Sequence, residues 1–170
     1  MGIDPGLSGA VALLNPAGEV VWVEDTPTYE KGGGAKGRDF DLEGMRDILD
    51  RASMSIDFGD RLHVTIEDIP IRTTTQISAL STSKLAKSQA YWEGLVIGMR
   101  LGGLERVLPM KWKPAMNIPA KSDKAVSRSK AAGLWPEAAR FFARVKDDGR
   151  AEAALIAAWG KRQHGGPNTS

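Results

Sequence analysis

After an opening hairpin, segments with strand-like and helix-like patterns alternate along this chain. A short apolar strand at residues 1–4 precedes the hairpin strands 9–14 and 19–24, which turn at Asn15-Pro16-Ala17-Gly18. A further strand is predicted at 62–67, after a helical crossover. Strands joined in this way by a hairpin and by helical crossovers predict an α/β protein with a mixed sheet.

The remaining predicted elements are mostly helical. The first is a helix capped by Asp41, with the apolar stripe Leu42, Met45, Ile48 and Leu49. A helix at 76–101 and a strand at 105–108 follow. Helices at 121–132 and 136–144 then precede a last helix from Asp148 or Gly149 to about Gly160. Residues 29–38, with three consecutive glycines, predict a flexible basic loop, and Lys111-Trp112-Lys113-Pro114 falls in a Pro-rich loop. One domain is expected over 1–162, followed by a disordered tail at 163–170. The very short first strand suggests that the natural chain starts upstream of Met1.

Composition narrows the class of protein. A length of 170 residues suits one domain with a genuine core, and zero cysteines exclude disulfides, thiolate zinc sites and a cysteine nucleophile. Neither a long apolar run nor a secretory signal is present, so a cytoplasmic protein without a membrane partner is expected. The net charge is only +2, but residues 111–130 hold six basic residues and one acidic residue. Such clustering suits a phosphate-bearing partner.

Four carboxylates stand at positions that predict a metal site. Asp4 ends the first strand before a Pro-Gly turn, and Glu67 ends the strand at 62–67. The carboxyl ends of neighbouring parallel strands meet at one edge of a sheet, where such folds bind ligands. Asp148 and Glu152 lie four apart on one face of the last helix, and Glu152 falls within its apolar stripe. Since an unpaired buried carboxylate is costly, converging acids favour a bound Mg²⁺ or Mn²⁺.

Each signal also has an ordinary structural interpretation. Asp-Pro-Gly is a common turn sequence, and Glu67 alone could be an exposed strand end or the partner of an arginine. Asp147 and Asp148 could simply favour a helix N-terminus through the macrodipole. The conjunction of two strand ends with one helix favours the metal site over coincidence.

Four segments resemble the RuvC-like Holliday junction resolvases of bacteria and phages, within the ribonuclease H-like superfamily. The similar segments are Gly2-Ile3-Asp4-Pro5-Gly6-Leu7-Ser8-Gly9-Ala10, the strand ending at Ile66-Glu67, Pro109-Met110-Lys111-Trp112-Lys113, and Asp147-Asp148-Gly149-Arg150-Ala151-Glu152-Ala153. The resemblance implies a ribonuclease H-like mixed five-stranded sheet flanked by helices. It also implies that Asp4, Glu67, Asp148 and Glu152 are catalytic ligands of two Mg²⁺ ions per active site, with Mn²⁺ as a substitute.

The activity that the resemblance implies is that of a crossover junction endodeoxyribonuclease. A homodimer would cut symmetric strands of a four-way DNA junction and leave 5′-phosphate and 3′-hydroxyl ends, and the two ions would stabilise both the attacking and the leaving oxygens. This chain departs from the best-known members in one respect. They place two aspartates three apart on the last helix, whereas here Asp148 and Glu152 are four apart and Asp147 is an alternative ligand.

DNA contact is expected from the basic segments, because neutralising phosphates releases counterions. The candidates are Lys111, Lys113, Lys121, Lys124 and Arg128, with Arg72, Thr73 and Thr74 directly after the Glu67 strand. The dimer contact is predicted on the helix at 76–101, for which core packing is the alternative. Trp112 and Tyr91 could stack on an unpaired base, although core burial is the commoner fate of aromatic residues.

Other functions remain open at this point. A nuclease that trims flaps or forks would use the same acids, and a non-catalytic junction-binding protein would keep the fold and bind without metal. Actin-like ATPases share an Asp-Gly strand turn but need two such domains, for which this chain is too short. His63 and His164 are interpreted as a strand residue and a tail residue rather than as metal ligands.

Overall fold

The computed structural model describes residues 1–33, 37–56, 61–69, 79–119 and 122–164. The strands are β1 (Gly2–Asp4), β2 (Ala10–Leu14), β3 (Val20–Asp25), β4 (Thr28–Glu30), β5 (Arg38–Phe40), β6 (Leu62–Glu67) and β7 (Gly102–Val107). The helices are α1 (Leu42–Met54), α2 (Ala79–Gly98), α3 (Pro109–Ala115), α4 (Lys124–Leu134), a 3-10 helix (Pro136–Phe142) and α5 (Asp148–His164). Within these residues no helix has both the length and the apolar character needed to cross a membrane.

The predicted mixed α/β sheet is confirmed. Five strands lie in the order β3-β2-β1-β6-β7, and β4 pairs with β5 in a separate two-stranded sheet. β2 runs antiparallel to both of its neighbours, whereas β1, β6 and β7 are parallel. The carboxyl ends of β1 and β6 therefore lie side by side.

Each face of the sheet carries a core. Along β6, Val64 and Ile66 point to the face covered by α1 and α2, where both are fully buried. Asp41 begins α1 by accepting a hydrogen bond from the Gly44 backbone N–H at 3.1 Å, as an N-cap should. Of the predicted stripe, only Leu42 stays largely exposed.

The opposite face is covered by α5, which packs closely because its buried side is mostly alanine and glycine. Ala153 and Ala157 lie over β1, and Gly160 lies over Thr65 of β6. A Cβ atom at position 160 would lie 1.9 Å from the Thr65 Oγ1, so only glycine allows this approach. The helix thus runs antiparallel to β1 and β6, with its N-terminus at their carboxyl ends.

Three predictions about secondary structure are corrected by the structure, two of them in extent or helix type and one, the loop around Lys111, altogether. The flexible loop predicted at 29–38 instead includes strand residues that pair Tyr29 with Asp39. The Pro-rich loop around Lys111 is α3, which begins with Pro109 at its first turn, where proline fits a helix. The predicted helix at 136–144 is the 3-10 helix, shorter by two residues.

Two boundaries also differ from the predicted ones. β7 begins at Gly102 rather than 105, because its pairing with β6 continues back to Leu62. α5 extends through Gln163 and His164, which were predicted to be disordered, while 165–170 lie outside the described residues. The helix predicted at 76–101 corresponds to α2, and residues 76–78 also lie outside the described ranges.

Candidate active site

Asp4 and Glu67 end neighbouring parallel strands and lie on the sheet face covered by α5. The register pairs Gly2 with Thr65 and Ile3 with Ile66, so the next residues of both strands, Asp4 and Glu67, stand at the same edge. Ile3 and Ile66 point to the opposite face and are fully buried. Strand alternation therefore directs both carboxylates toward the first turns of α5.

The third acid of this edge is Glu152, from α5. We call Asp4, Glu67 and Glu152 the acidic cluster. Burial, followed by the negative charge of Glu152, raises the pKa of Asp4 to about 7. Burial, followed by the charge of Asp4, raises the pKa of Glu67 to about 7. The charge of Glu152 is thus close enough to oppose the ionisation of both Asp4 and Glu67.

Gly149 brings the first turn of α5 against Asp4. A Cβ atom at position 149 would lie 2.4 Å from the Ser8 backbone oxygen, 2.9 Å from Gly9 Cα and 3.1 Å from Asp4 Oδ2. Contacts that short with backbone atoms would push the helix away from the strand end. A glycine directly after Asp148 therefore lets α5 deliver Glu152 to the acidic cluster.

Two consecutive residues of α3 hold two members of the acidic cluster. The Trp112 indole N–H donates to Glu67 Oε2 at 2.6 Å, and Trp112 itself is fully buried. Lys113 Nζ donates to Glu152 Oε1 at 2.8 Å, and its charge also favours ionisation of Asp4 and Glu67. α3 therefore supplies one hydrogen bond and one positive charge to the site.

A serine of α4 completes the contacts of Glu152. The Ser127 hydroxyl, buried beneath α4, donates to Glu152 Oε1 at 3.2 Å. Sequence reasoning missed the roles of Ser127, Trp112 and Gly149. The nearest signal was the Lys-Trp-Lys segment, which was interpreted as a DNA contact.

Asp147 and Asp148, which the sequence left as alternative ligands, have different surroundings. Asp147 is buried and accepts hydrogen bonds from the Arg144 guanidinium, the shortest at 2.7 Å, and from the Arg144 backbone N–H at 2.8 Å. Burial opposes its ionisation, but these bonds outweigh burial and hold the pKa of Asp147 below its usual value. Asp148 is ion-paired with Arg128, and Lys124 Nζ lies 3.8 Å from its other oxygen. Asp147 thus forms a structural ion pair with Arg144.

Asp148 shares a basic neighbour with Asp4. Lys124, which lies beside Asp148, also lowers the pKa of Asp4. The structure therefore brings three of the four predicted acids together and holds Asp148 next to them through basic residues.

The predicted DNA-binding residues fall into three groups. Lys111 and Lys124 are exposed, whereas Lys113 and Arg128 are less exposed and engage Glu152 and Asp148. The predicted contacts Arg72, Thr73, Thr74 and Lys121 lie outside the described residues. Of the aromatic candidates, Trp112 is core-buried, as its alternative interpretation held, and Tyr91 packs edge-on against Phe40 at 6.0 Å between ring centroids.

The chemistry of the acidic cluster fits divalent metal ions. Hard carboxylate oxygens are the ligands that Mg²⁺ and Mn²⁺ prefer. Bound cations would offset both the burial and the neighbouring negative charges that raise the pKa values of Asp4 and Glu67. Within the described part of the chain, one group of three side chains offers ligand atoms that all lie within 4.8 Å of one another, and it is a different group: His63, Glu105 and His164. His63 is a strand residue, as predicted, whereas His164 belongs to α5 rather than to a disordered tail, and α5 carries it to β6.

No protein-family model matches this chain, and no curated protein sequence matches it significantly.

Proposed function

We propose that this protein is a metal-dependent, structure-selective endodeoxyribonuclease that resolves four-way DNA junctions by paired symmetric nicks. The observation that carries the proposal is the acidic cluster, where two carboxylates with pKa values of about 7 meet a third from α5. Strongly perturbed pKa values cluster at functional sites, where burial and like charges are arranged to shift them. The resemblance of the surrounding segments to RuvC-like resolvases supplies the substrate class.

The sheet supports a ribonuclease H-like fold as part of this proposal. In the order β3-β2-β1-β6-β7, β2 alone runs against the other four strands, and helices cover both faces. This arrangement is compatible with that fold. It also accounts for the convergence of an acid from β1, an acid from β6 and an acid from the last helix.

In the proposed reaction, Asp4, Glu67 and Glu152 hold Mg²⁺ or Mn²⁺, and Asp148 joins them. Two bound ions would supply an ionised water and neutralise the charge that develops on the phosphate. The protein's own residues orient the ligands. Trp112 fixes Glu67 through its indole N–H, and Ser127 fixes Glu152.

Lys113 and Arg128 are also proposed to contact DNA phosphates. Both are ion-paired to acids of the site, and both also belong to the basic segment that faces it. A DNA phosphate that enters would offer each of them another anionic partner. Exposed Lys111 and Lys124 would hold the backbone further out, which gives salt-sensitive binding.

We also propose that two copies of the protein form a homodimer through contacts between their α2 helices. Trp92 and Val96 pack into the core, while the other side of the helix exposes Ile97. A Cβ atom at Gly94 or Gly98 would meet nothing within 4 Å, so this side of the helix is open to a second backbone. Two sites related by a twofold axis would match the symmetry of a four-way junction.

The test is cleavage of a labelled mobile four-way junction in Mg²⁺, beside a linear duplex, a flap and a fork. Asp4→Asn and Glu67→Gln should abolish paired nicks while junction binding persists. Asp50→Asn, the same change on the exposed side of α1, should cut at the wild-type rate. Ligase should reseal the products if the ends are 5′-phosphate and 3′-hydroxyl.

Each alternative function has its own outcome in this experiment. Equal cutting of flaps and forks would replace the resolvase with a general debranching nuclease. Tight junction binding without metal-dependent cleavage by the wild-type protein would refute the catalytic assignment and leave a junction-binding protein. Cleavage retained by both acid variants would refute the site.

A further inference from the structure

At the end of α5 remote from the acidic cluster, the two histidines of the chain meet one carboxylate. His63, Glu105 and His164, here called the histidine cluster, each offer a ligand atom, and these atoms all lie within 4.8 Å of one another. α5 has 17 residues, which at ~1.5 Å per residue makes it roughly 25 Å long. The histidine cluster is therefore a separate site, and the proposed nuclease reaction does not use it.

The fold brings these residues together by three regular contacts. In the parallel pairing of β6 and β7, Thr65 stands opposite Glu105, and His63 lies two residues before Thr65 on the same face. Gly160 of α5 seats directly over Thr65. His164 follows Gly160 by four residues, about one helical turn, and so stands over His63 and Glu105.

The distances suit a small metal ion. His164 Nε2 lies 2.9 Å from Glu105 Oε2, and His63 Nε2 lies 3.7 Å from the same oxygen. Ligands about 2.0–2.2 Å from a tetrahedral ion stand about 3.4 Å from one another. The two observed distances bracket that value, so small side-chain rotations would suffice to bind an ion.

One atom of the histidine cluster has no partner among the described residues. His63 Nε2 is shielded from solvent and makes no hydrogen bond, since 3.7 Å to Glu105 is too long. The imidazole rings of His63 and His164 lie 3.6 Å apart between centroids, so both rings stand beside Glu105. A neutral imidazole with a free ring nitrogen is the form of histidine that binds transition metals.

Two features of the surroundings favour a cation with an open coordination position. His164 is the last residue of α5, where the helix dipole favours positive charge. Both histidines line a cleft of about 750 Å³, whose lining is partly apolar, with Leu13 and Ile56, and partly basic, with Arg61 and Lys161. Three protein ligands beside a cleft leave a fourth position for water or another small ligand.

We propose that His63, Glu105 and His164 bind one divalent transition-metal ion of the Zn²⁺ type through two imidazole nitrogens and one carboxylate oxygen. The donor set separates this ion from those of the acidic cluster, because imidazole favours Zn²⁺ and related metals while all-carboxylate sites favour Mg²⁺. The bound ion ties the C-terminal end of α5 to β6 and β7. It would thereby stabilise the helix that carries Glu152 at its other end.

The test is calorimetric titration with Zn²⁺ of the full chain carrying Asp4→Asn, a change that disables the acidic cluster as a competing site. We expect one equivalent of Zn²⁺ to bind, and Co²⁺ to give the visible absorption of a four-coordinate ion. His164→Ala and Glu105→Gln should each weaken Zn²⁺ binding about tenfold or more, because each removes a ligand. Gln163→Ala, the neighbouring position in the same helical turn, should bind like its parent.

Thermal unfolding gives a second readout. Zn²⁺ should raise the Tm of the Asp4→Asn protein and of its Gln163→Ala version, but not of its His164→Ala version, because only folded protein with intact ligands binds the ion. Equal Zn²⁺ affinity of the His164→Ala and Gln163→Ala proteins would overturn the proposal. Failure of the Asp4→Asn protein to bind Zn²⁺ would overturn it as well, and neither result bears on junction cleavage.

Discussion

Replacing Trp112 with phenylalanine should raise the pKa of Glu67. The change removes the indole N–H that donates to Glu67 Oε2 at 2.6 Å, and that hydrogen bond favours the charged carboxylate. Hydrogen bonds to charged groups contribute roughly 1.5–3 kcal/mol, and one pKa unit corresponds to about 1.4 kcal/mol. The pKa of Glu67, already raised to about 7 by burial and by Asp4, should therefore rise by roughly one unit or more.

Trp92→Phe is the matched control. Trp92 of α2 is as fully buried as Trp112, but it lies in the core on the other face of the sheet, and its indole nitrogen has no hydrogen-bond partner among the described residues. Both substitutions remove similar apolar volume, so both should lower the free energy of unfolding at pH 5. Only Trp112→Phe should cost additional stability above about pH 7, where Glu67 ionises without its donor.

The assay is the titration of glutamate side-chain carboxyl carbons by NMR in metal-free protein, with Glu67→Gln to assign the resonance. Urea unfolding at pH 5 and pH 9 measures the stability difference between the two tryptophan variants. The reasoning is refuted if Glu67 titrates at the same pH in Trp112→Phe as in the wild type. It is refuted equally if Trp92→Phe shifts the pKa as much.

Three further predictions concern stability and are measured by unfolding. The pKa of Asp4 in the folded protein, about 7, exceeds its ordinary value of 3.8, so ionisation of Asp4 destabilises the fold increasingly from about pH 4 to 7. Across that range the free energy of unfolding of Asp4→Asn, measured in urea titrations, should rise by several kcal/mol relative to the metal-free wild type. Asp147→Asn should cost roughly 1.5–3 kcal/mol because the buried Asp147 carboxylate loses its charged hydrogen bonds from Arg144. Asp148→Asn should cost less, because the Asp148 side chain is 20% exposed against 1% for Asp147, and equal losses would contradict the assignment of roles. Gly160→Ala should lower the free energy of unfolding by roughly 1–3 kcal/mol by overpacking against Thr65, and adding Thr65→Ala should restore part of that loss. A Tm for Gly160→Ala equal to that of the wild type would contradict the close approach of α5.

Much of the fold could be predicted because its signals are local. Asp41 begins α1 through a hydrogen bond to a backbone three residues away, and apolar periodicity marks the buried side of that helix. The strand that ends at Glu67 could be predicted because its apolar residues are bounded by polar ones. The extents of β7 and α3 could not be predicted in this way. β7 is extended by its ladder with β6, and α3 contains two prolines that read as a loop in isolation.

The sequence by itself determined which carboxylates end strands and which lie on the last helix, because strand and helix periods fix the face on which each side chain stands. Tertiary structure alone decided their partners. Trp112 of α3 reaches Glu67 of β6, Lys113 of α3 reaches Glu152 of α5, and His164 of α5 meets His63 of β6. These contacts join residues on different elements, so they depend on the direction and closeness of packing. Glycines at 149 and 160 set that closeness, and their effect is visible only against the atoms they approach.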